Sequence, residues 1–286
     1  MSMYKCHFCT DCEGYGCKGE LPGMGGVFES ANFIDNCSAW KKYHHPDAFS
    51  YDLPKIRLAP ITGAIENIGY GDEEQFYYDI IDGAAAAGFL LSVGDGFPDA
   101  KLQGGLAALQ KTGKTAAVFI KPYPNERIFE RIDWARAHAE SIGIDIDSYN
   151  IVTMRNLVHL EQKNAQQLKE IRRYAQKPFA IKGIFLPEDI ELVKEVKPDI
   201  VVISNHGGRI ETRRGSTADF LAAYAQQLCN YTDELWVDGG LRTAQDLTAA
   251  TQLGASQVMI GRPCITALLQ SGAQGLRRLY AKLTQQ

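Results

Sequence analysis

Long hydrophobic runs are missing from this sequence. No apolar stretch approaches the length of a membrane span, and the first residues, MSMYKCHFCTDCEG, lack the apolar segment of a secretory signal. A dominant charge is missing too: 30 Lys and Arg stand against 34 Asp and Glu, so the net charge of -4 offers no polybasic surface for nucleic acid. Low-complexity tracts are absent, and 45% hydrophobic with 22% charged residues is close to the globular average, with no sign of disorder. These absences describe a folded, cytoplasmic protein whose partners are small molecules rather than nucleic acids or membranes. Cysteine is scarce in the later chain, where Cys229 and Cys264 stand alone and read as ordinary buried thiols.

Cysteine is instead concentrated at the start, at Cys6, Cys9, Cys12, Cys17 and Cys37. In a reducing compartment such clustering points to metal or redox chemistry before a disulfide framework. Cys6, Cys9, Cys12 and Cys17 could offer four thiolates to zinc or to an iron-sulfur cluster, with His7 as an alternative ligand. The interval from Cys12 to Cys17 is longer than the common ferredoxin spacing and leans the reading towards zinc, against free thiols as the competing one. Residues 1-50 are accordingly expected to form a Cys-rich extension, and 51-286 a catalytic domain.

Eight short apolar runs follow, each leading into a helix-like stretch: 55-61, 88-94, 115-121, 142-147, 178-184, 199-205, 234-240 and 256-262. They are continuous rather than alternating, as strands covered on both faces should be. Strand and helix repeated in this way predict an α/β fold, a (β/α)8 TIM barrel, with a doubly wound open sheet as the competing architecture and the fourth strand the weakest. In a barrel, catalytic groups gather at the carboxyl ends of the strands. Polar residues do punctuate those ends: Thr62, Ser92, Lys121 and Tyr123, Asp147, Lys182, His206 and Arg209, Asp238, and Arg262.

Several of these carry chemistry. VDGGLRT and MIGRP are glycine-bearing loops that open helices, and loops after strands seven and eight of a barrel often hold phosphate on backbone N-H groups. Arg242 and Arg262 add positive charge there, although a Gly-Gly turn alone is as readily structural. Lys182 lies inside FAIKGI, where a buried ammonium needs an anionic partner. A lone histidine is usually a satisfied polar group; His206 gains meaning from Arg209, whose planar fork suits a carboxylate.

Together SNHGGR, KGI, DGGLRTAQD and LGASQVMIGRP resemble the FMN-dependent 2-hydroxy-acid oxidase and dehydrogenase family, from about strand one to the C-terminus. The resemblance implies FMN, with Asp238, Gly240, Arg242, Gly261 and Arg262 at its phosphate and ribityl chain. It implies further flavin contacts from Ser92, Ser204 and the APITG backbone around Ile61 and Thr62, and places Lys182 where negative charge develops on flavin reduction. His206 would be the base, Asp147 the aspartate that orients it, Arg209 the clamp on the substrate carboxylate, and Tyr123 a hydrogen-bonding partner of the substrate.

The chain departs from that pattern in three places. Lys121 stands where the family usually has glutamine, and Asp145 where it has threonine; period-two alternation puts them on the faces of Tyr123 and Asp147, so an ion pair beside the flavin is expected, with both side chains facing solvent at the rim as the competing reading. The segment from Asp147 to Lys182 is short, leaving Arg155 as the nearest candidate for a second carboxylate-binding arginine. The third departure is the Cys-rich start. The expected activity is oxidation of a 2-hydroxy acid to a 2-oxo acid, with oxygen or another electron acceptor. A flavin-free lyase or isomerase acting on a phosphorylated metabolite is the alternative. A non-catalytic scaffold is a third reading, opposed by the joint retention of these residues, and association into a homo-oligomer is a general expectation for barrels.

Overall fold

The computed structural model describes residues 31-45, 53-65, 70-150, 158-210 and 212-285. Each of the eight apolar runs contains or overlaps a strand: β1 (Lys55–Leu58), β2 (Ser92–Gly94), β3 (Ala116–Ile120), β4 (Ala139–Asp145), β5 (Phe179–Ile184), β6 (Ile200–Ile203), β7 (Glu234–Asp238) and β8 (Gln257–Ile260). All are parallel, in the order β1-β8-β7-β6-β5-β4-β3-β2. The last seam is closed by a bridge between Arg57 and Leu90, with Leu58 N-H donating to Leu90 O at 2.8 Å and Leu90 N-H to Ile56 O at 3.0 Å. The sheet is therefore a closed barrel, and the open doubly wound alternative falls.

The fourth strand starts at Ala139, earlier than the apolar run suggests. Glu140 and Ser141 interrupt the hydrophobic pattern, yet Glu140 reaches Arg57 at 2.6 Å, so a polar residue at the start of the strand is used rather than wasted.

Helices cover the outside: α2 (Glu73–Ala87), α3 (Ala100–Thr112), α4 (Asn125–Ala135), α5 (Ala165–Ala175), α6 (Pro187–Val196), α7 (Thr217–Leu228), α8 (Ala244–Gln252) and α9 (Arg262–Thr284). Their starts follow local chemistry. Asp72, Asn164, Ser216 and Thr243 each accept a hydrogen bond from a backbone N-H in the first turn, and Pro187 opens α6 where its missing N-H costs nothing. An earlier helix, α1 (Ala31–Ala39), runs into a 3-10 turn at Trp40–Tyr43.

Side chains two apart on one strand share a face, and this fills the barrel in layers. Ala117, Phe119, Ala180, Ile200, Val202, Trp236 and Met259 form one buried cluster, and Arg57 lies over the Trp236 ring at 4.5 Å. A Cβ on Gly143 would stand 2.5 Å from the Phe119 ring, so the strand passes that ring only as glycine. Two residues further along, each inward series turns polar: Phe119 leads to Lys121, Gly143 to Asp145, Ala180 to Lys182, Val202 to Ser204 and Trp236 to Asp238. The apolar fill thus ends in a charged layer at the carboxyl end.

Candidate active site

That charged layer is a connected network. Asp145 accepts from Lys121 Nζ at 2.7 Å and from Lys182 Nζ at 3.1 Å. The ion pair expected from the two substitutions is therefore present, with side chains only 10% and 5% exposed. Lys182 also donates to Ser204 Oγ at 3.2 Å and stands 3.6 Å from Asp238, while Ser204 donates to Asp238 at 2.8 Å. Burial alone would lower the Lys182 pKa, but Asp145, Asp238 and Asp147 outweigh it and hold the ammonium above its ordinary value. Burial would likewise raise Asp145; Lys121, Lys182 and His206 together drive it well below the usual carboxylate range. Asp238 is raised, by burial, against the pull of Lys182.

His206 sits above this layer on a tight turn. After β6 the chain turns through His206, Gly207 and Gly208 with φ of 55°, 66° and 90°, a left-handed run in which histidine is uncommon. Such strain persists where surrounding contacts over-determine it. Asn205 accepts from Gly208 N-H at 2.9 Å, and the His206 N-H donates to Ser204 Oγ at 3.2 Å. The ring is thereby aimed back over the barrel, its Nδ1 3.1 Å from Asp147 and 3.6 Å from Asp145. Burial lowers the imidazole well below its ordinary value; Asp145 opposes this, while Lys182, Lys121 and Arg209 add to it. At neutral pH the ring is uncharged and can accept a proton. Burial and the charge of Asp145 push Asp147 well above the ordinary carboxylate value.

Three side chains that sequence reasoning missed hold this turn from the amino-terminal side. Asn32, Asn36 and Trp40 recur every four residues, on one face of α1 and its continuation. Asn36 donates to Asn205 at 2.7 Å, accepts from Asn205 at 3.1 Å and accepts from Thr217 N-H at 3.0 Å. Asn32 donates to Arg213 O at 2.8 Å, and Trp40 Nε1 donates to Gly239 O at 2.8 Å. The helix lies so close that a Cβ on Gly208 would meet Phe33 N at 2.6 Å and one on Gly240 would strike the Asn36 carbonyl. A polar stripe at helical spacing was the available signal, but its partners lie more than 160 residues away.

The other expected residues are distributed as follows. Ile61 and Thr62 are half-buried after β1, and Ser92 is buried on β2 with no hydrogen-bond partner for Oγ. Tyr123 is 1% exposed, its hydroxyl unpartnered and its ring beneath Arg131 at 4.3 Å; burial pushes its pKa up to about 12. Arg242 and Gly240 follow β7, where the Arg242 and Thr243 N-H groups donate to Asp246 at 2.8 and 2.9 Å. After Gly261, the Arg262 guanidinium donates to Gly207 O at 3.2 Å and lies 4.8 Å from the centre of the Phe33 ring. Arg209 is half-buried directly after the His206 turn. Arg155, Cys6, Cys9, Cys12 and Cys17 lie outside the described residues. Among the described residues no helix is long and apolar enough to cross a membrane.

Comparison with known proteins agrees with this architecture. In solved structures the chain is similar to mandelate oxidase bound to benzoyl-formic acid, with a TM-score of 0.71 at 22% identity over 90% of this chain and 83% of that one. Among curated proteins it is 32% identical over 121 residues to a 4-hydroxymandelate oxidase of Amycolatopsis orientalis, covering 42% of this chain and 34% of that protein. It is 35% identical over 112 residues to a 2-hydroxyacid oxidase of Dictyostelium discoideum, covering 39% and 29%. These matches span about a third of the relatives' length. The family described as FMN-dependent dehydrogenase matches residues 121–286, which is more than half of the chain and includes Lys121, Asp145, Asp147, Lys182, His206 and Arg209. The chain belongs to the FMN-dependent dehydrogenase family.

Proposed function

We propose that this chain binds FMN over the carboxyl end of its barrel and oxidises a small 2-hydroxy acid to the 2-oxo acid, with His206 as the base. The observation that carries the reading is the placement of His206: its Nδ1 is held over Asp147 at 3.1 Å, and its side chain is 16% exposed above a Lys182 that is 4% exposed. A neutral imidazole fixed at one nitrogen can take a proton at the other.

The donor set supports a flavin. Ser92 Oγ on β2, Tyr123 Oη after β3 and Asp238 Oδ1 at the carboxyl end of β7 are buried without a partner among the described residues, as groups that await a polar ligand would be. Asp238 is suited to ribityl hydroxyls, and Lys182 to the negative charge that reduction creates. Ile61, Thr62, Ser92, Lys121, Asp145 and Ser204 would complete the contacts of the ring. Gly240, Arg242, Gly261 and Arg262 would take the phosphate. FMN, when bound, supplies the acceptor for the two electrons that leave as a carbinol becomes a carbonyl. His206 takes the proton that is released, Arg209 anchors the carboxylate, and Tyr123 hydrogen-bonds the substrate, with Arg155 as a second anchor.

The family match does not favour the flavin-free lyase or isomerase. The test is to load the full-length chain with FMN and add a panel of 2-hydroxy acids without oxygen. Bleaching of the yellow flavin by at least one acid is expected; failure to bind FMN at all would sink the reading. For the Cys-rich segment, residues 1-50, the reading is four thiolates on zinc or an iron-sulfur cluster. Metal analysis of anaerobically purified protein decides it, and metal-free protein with four titratable thiols refutes it.

A further inference from the structure

Charge does not balance evenly around His206. The groups that face it are Lys121 from β3, Asp145 from β4, Asp147 from the turn after β4, Lys182 from β5, Ser204 and Arg209 beside it on the β6 side, and Asp238 from β7. Asp189, at the start of α6, also feels the charge of Asp147. Asp145 has a lysine on each oxygen: Lys121 on Oδ2 and Lys182 on Oδ1. Asp147 has none. Its Oδ1 meets His206 Nδ1 at 3.1 Å, its carboxyl lies within hydrogen-bonding reach of Asp145, and its Oδ2 is buried without a hydrogen-bond partner among the described residues. A bare, buried, ionised carboxylate oxygen is costly, and a proton placed on it removes most of that cost.

We propose that the two aspartates divide the work at His206: Asp145 is the anion that faces the ring, and Asp147 rests as a neutral carboxylic acid, protonated on Oδ2, whose carbonyl Oδ1 accepts from His206 Nδ1-H. The tautomer follows. With Nδ1 protonated, Nε2 holds the free lone pair and takes the substrate's proton, while Asp147 keeps its own. The imidazolium that forms lies 3.6 Å from Asp145 Oδ1, which stays ionised between its lysines. Asp145 is thus a positioning residue that acts through His206. Burial and the neighbouring Asp145 charge both raise Asp147, as this arrangement requires. Because the two carboxylates and the ring share one small space, their protonation is settled jointly.

The inference rests on His206 as the base, but its test needs neither flavin nor substrate, so either reading can fail alone. Infrared spectra of the full-length chain are compared at about pH 8, above the values of about 6 to which Asp95 and Asp189 are raised. The difference between the wild type and Asp147→Asn is expected to contain a carboxylic-acid carbonyl band. That band is expected to vanish in Asp145→Asn and Asp145→Thr, because Asp147 ionises once its charged neighbour is gone. A merely structural Asp145 would leave the band in place. No such band in the wild type, or a band that survives both Asp145 substitutions, overturns the proposal. Should the Asp145 variants fail to fold, nitrogen-15 shifts of wild-type His206 decide the tautomer: protonation at Nδ1 is expected, and protonation at Nε2 at neutral pH refutes it.

Discussion

Reverting this chain's two departures together should cost less stability than the two single reversions added up. Lys121 and Asp145 pair at 2.7 Å with little exposure, but the pair is lopsided, because Asp145 also binds Lys182 at 3.1 Å. Asp145→Thr strands two buried ammonium groups, with Asp238 at 3.6 Å from Lys182 and a newly ionised Asp147 as the remaining anions. Stripping one partner from a buried pair costs about 3–5 kcal/mol, and we expect this variant in that range. Lys121→Gln leaves Asp145 paired with Lys182 and still offers an amide donor, so about 1–2 kcal/mol is expected. The double variant removes one charge of each sign and should cost less than the sum of the single variants by about 1–3 kcal/mol. Urea unfolding measures all four proteins, provided that the slope of stability against denaturant is unchanged. Additivity within about 0.5 kcal/mol, or a Lys121→Gln more harmful than Asp145→Thr, would show that the network does not behave as its distances suggest.

Asn36→Ala removes the side chain that joins Asn205 to Thr217, leaving two buried backbone or amide groups unpaired; a stability loss of about 2–4 kcal/mol is expected, together with weaker FMN binding in a fluorescence titration. Unchanged FMN affinity would mean that α1 does not order the loops. Asp95 is raised to about 6 by burial, against the pull of Arg131, so its contribution to stability is full below the ordinary value of 3.8 and is lost as pH rises through about 6. That change amounts to about 3 kcal/mol, and Asp95→Asn should lessen the fall in urea midpoint between those pH values, to which Asp147, Asp189 and Asp238 also contribute. An equal fall in wild type and variant would contradict it.

The barrel was legible because its strands are covered on both sides and read as unbroken apolar runs. The charged layer was legible for a related reason: with a period of two, a polar residue two places beyond an inward hydrophobic one must also point inward. On this rule Lys121 shares a face with Tyr123 and Asp145 with Asp147, on neighbouring strands. The Lys121 and Asp145 pairing could be foreseen because neighbouring strands carried complementary departures. α1 could not. Asn32, Asn36 and Trp40 lie in a polar passage that reads as part of an extension, and only folding brings them to Asn205 and Gly239. The start of β4 was missed because Glu140 looks like a strand breaker until Arg57 is seen opposite it. Whether Asp147 carries a proton is also not a property of any segment, since it depends on how many cations reach each of its oxygens.

The same alternation explains why chemistry is confined to one end of this barrel. Phe119, Trp236 and Met259 fill the interior, with Arg57 over Trp236, so the charged layer rests on a packed floor and can be approached only from the carboxyl side. Lys121 and Lys182 are paired with Asp145 and, for Lys182, with Asp238 within that layer, and Lys121, Asp145 and Lys182 are nearly sealed by it, at 8%, 3% and 3% exposed. Charges so paired fix a field but exchange protons poorly, since changing the state of any one leaves its partner uncompensated. His206 differs on both counts. It is the more exposed group, it is uncharged at rest, and gaining a proton brings it a ready counter-ion in Asp145 instead of costing one. Of the groups gathered at this end, the imidazole is therefore the one that is both partly exposed and uncharged at rest, with an anion beside it to meet the proton it gains, and that is what a proton-abstracting site has to provide.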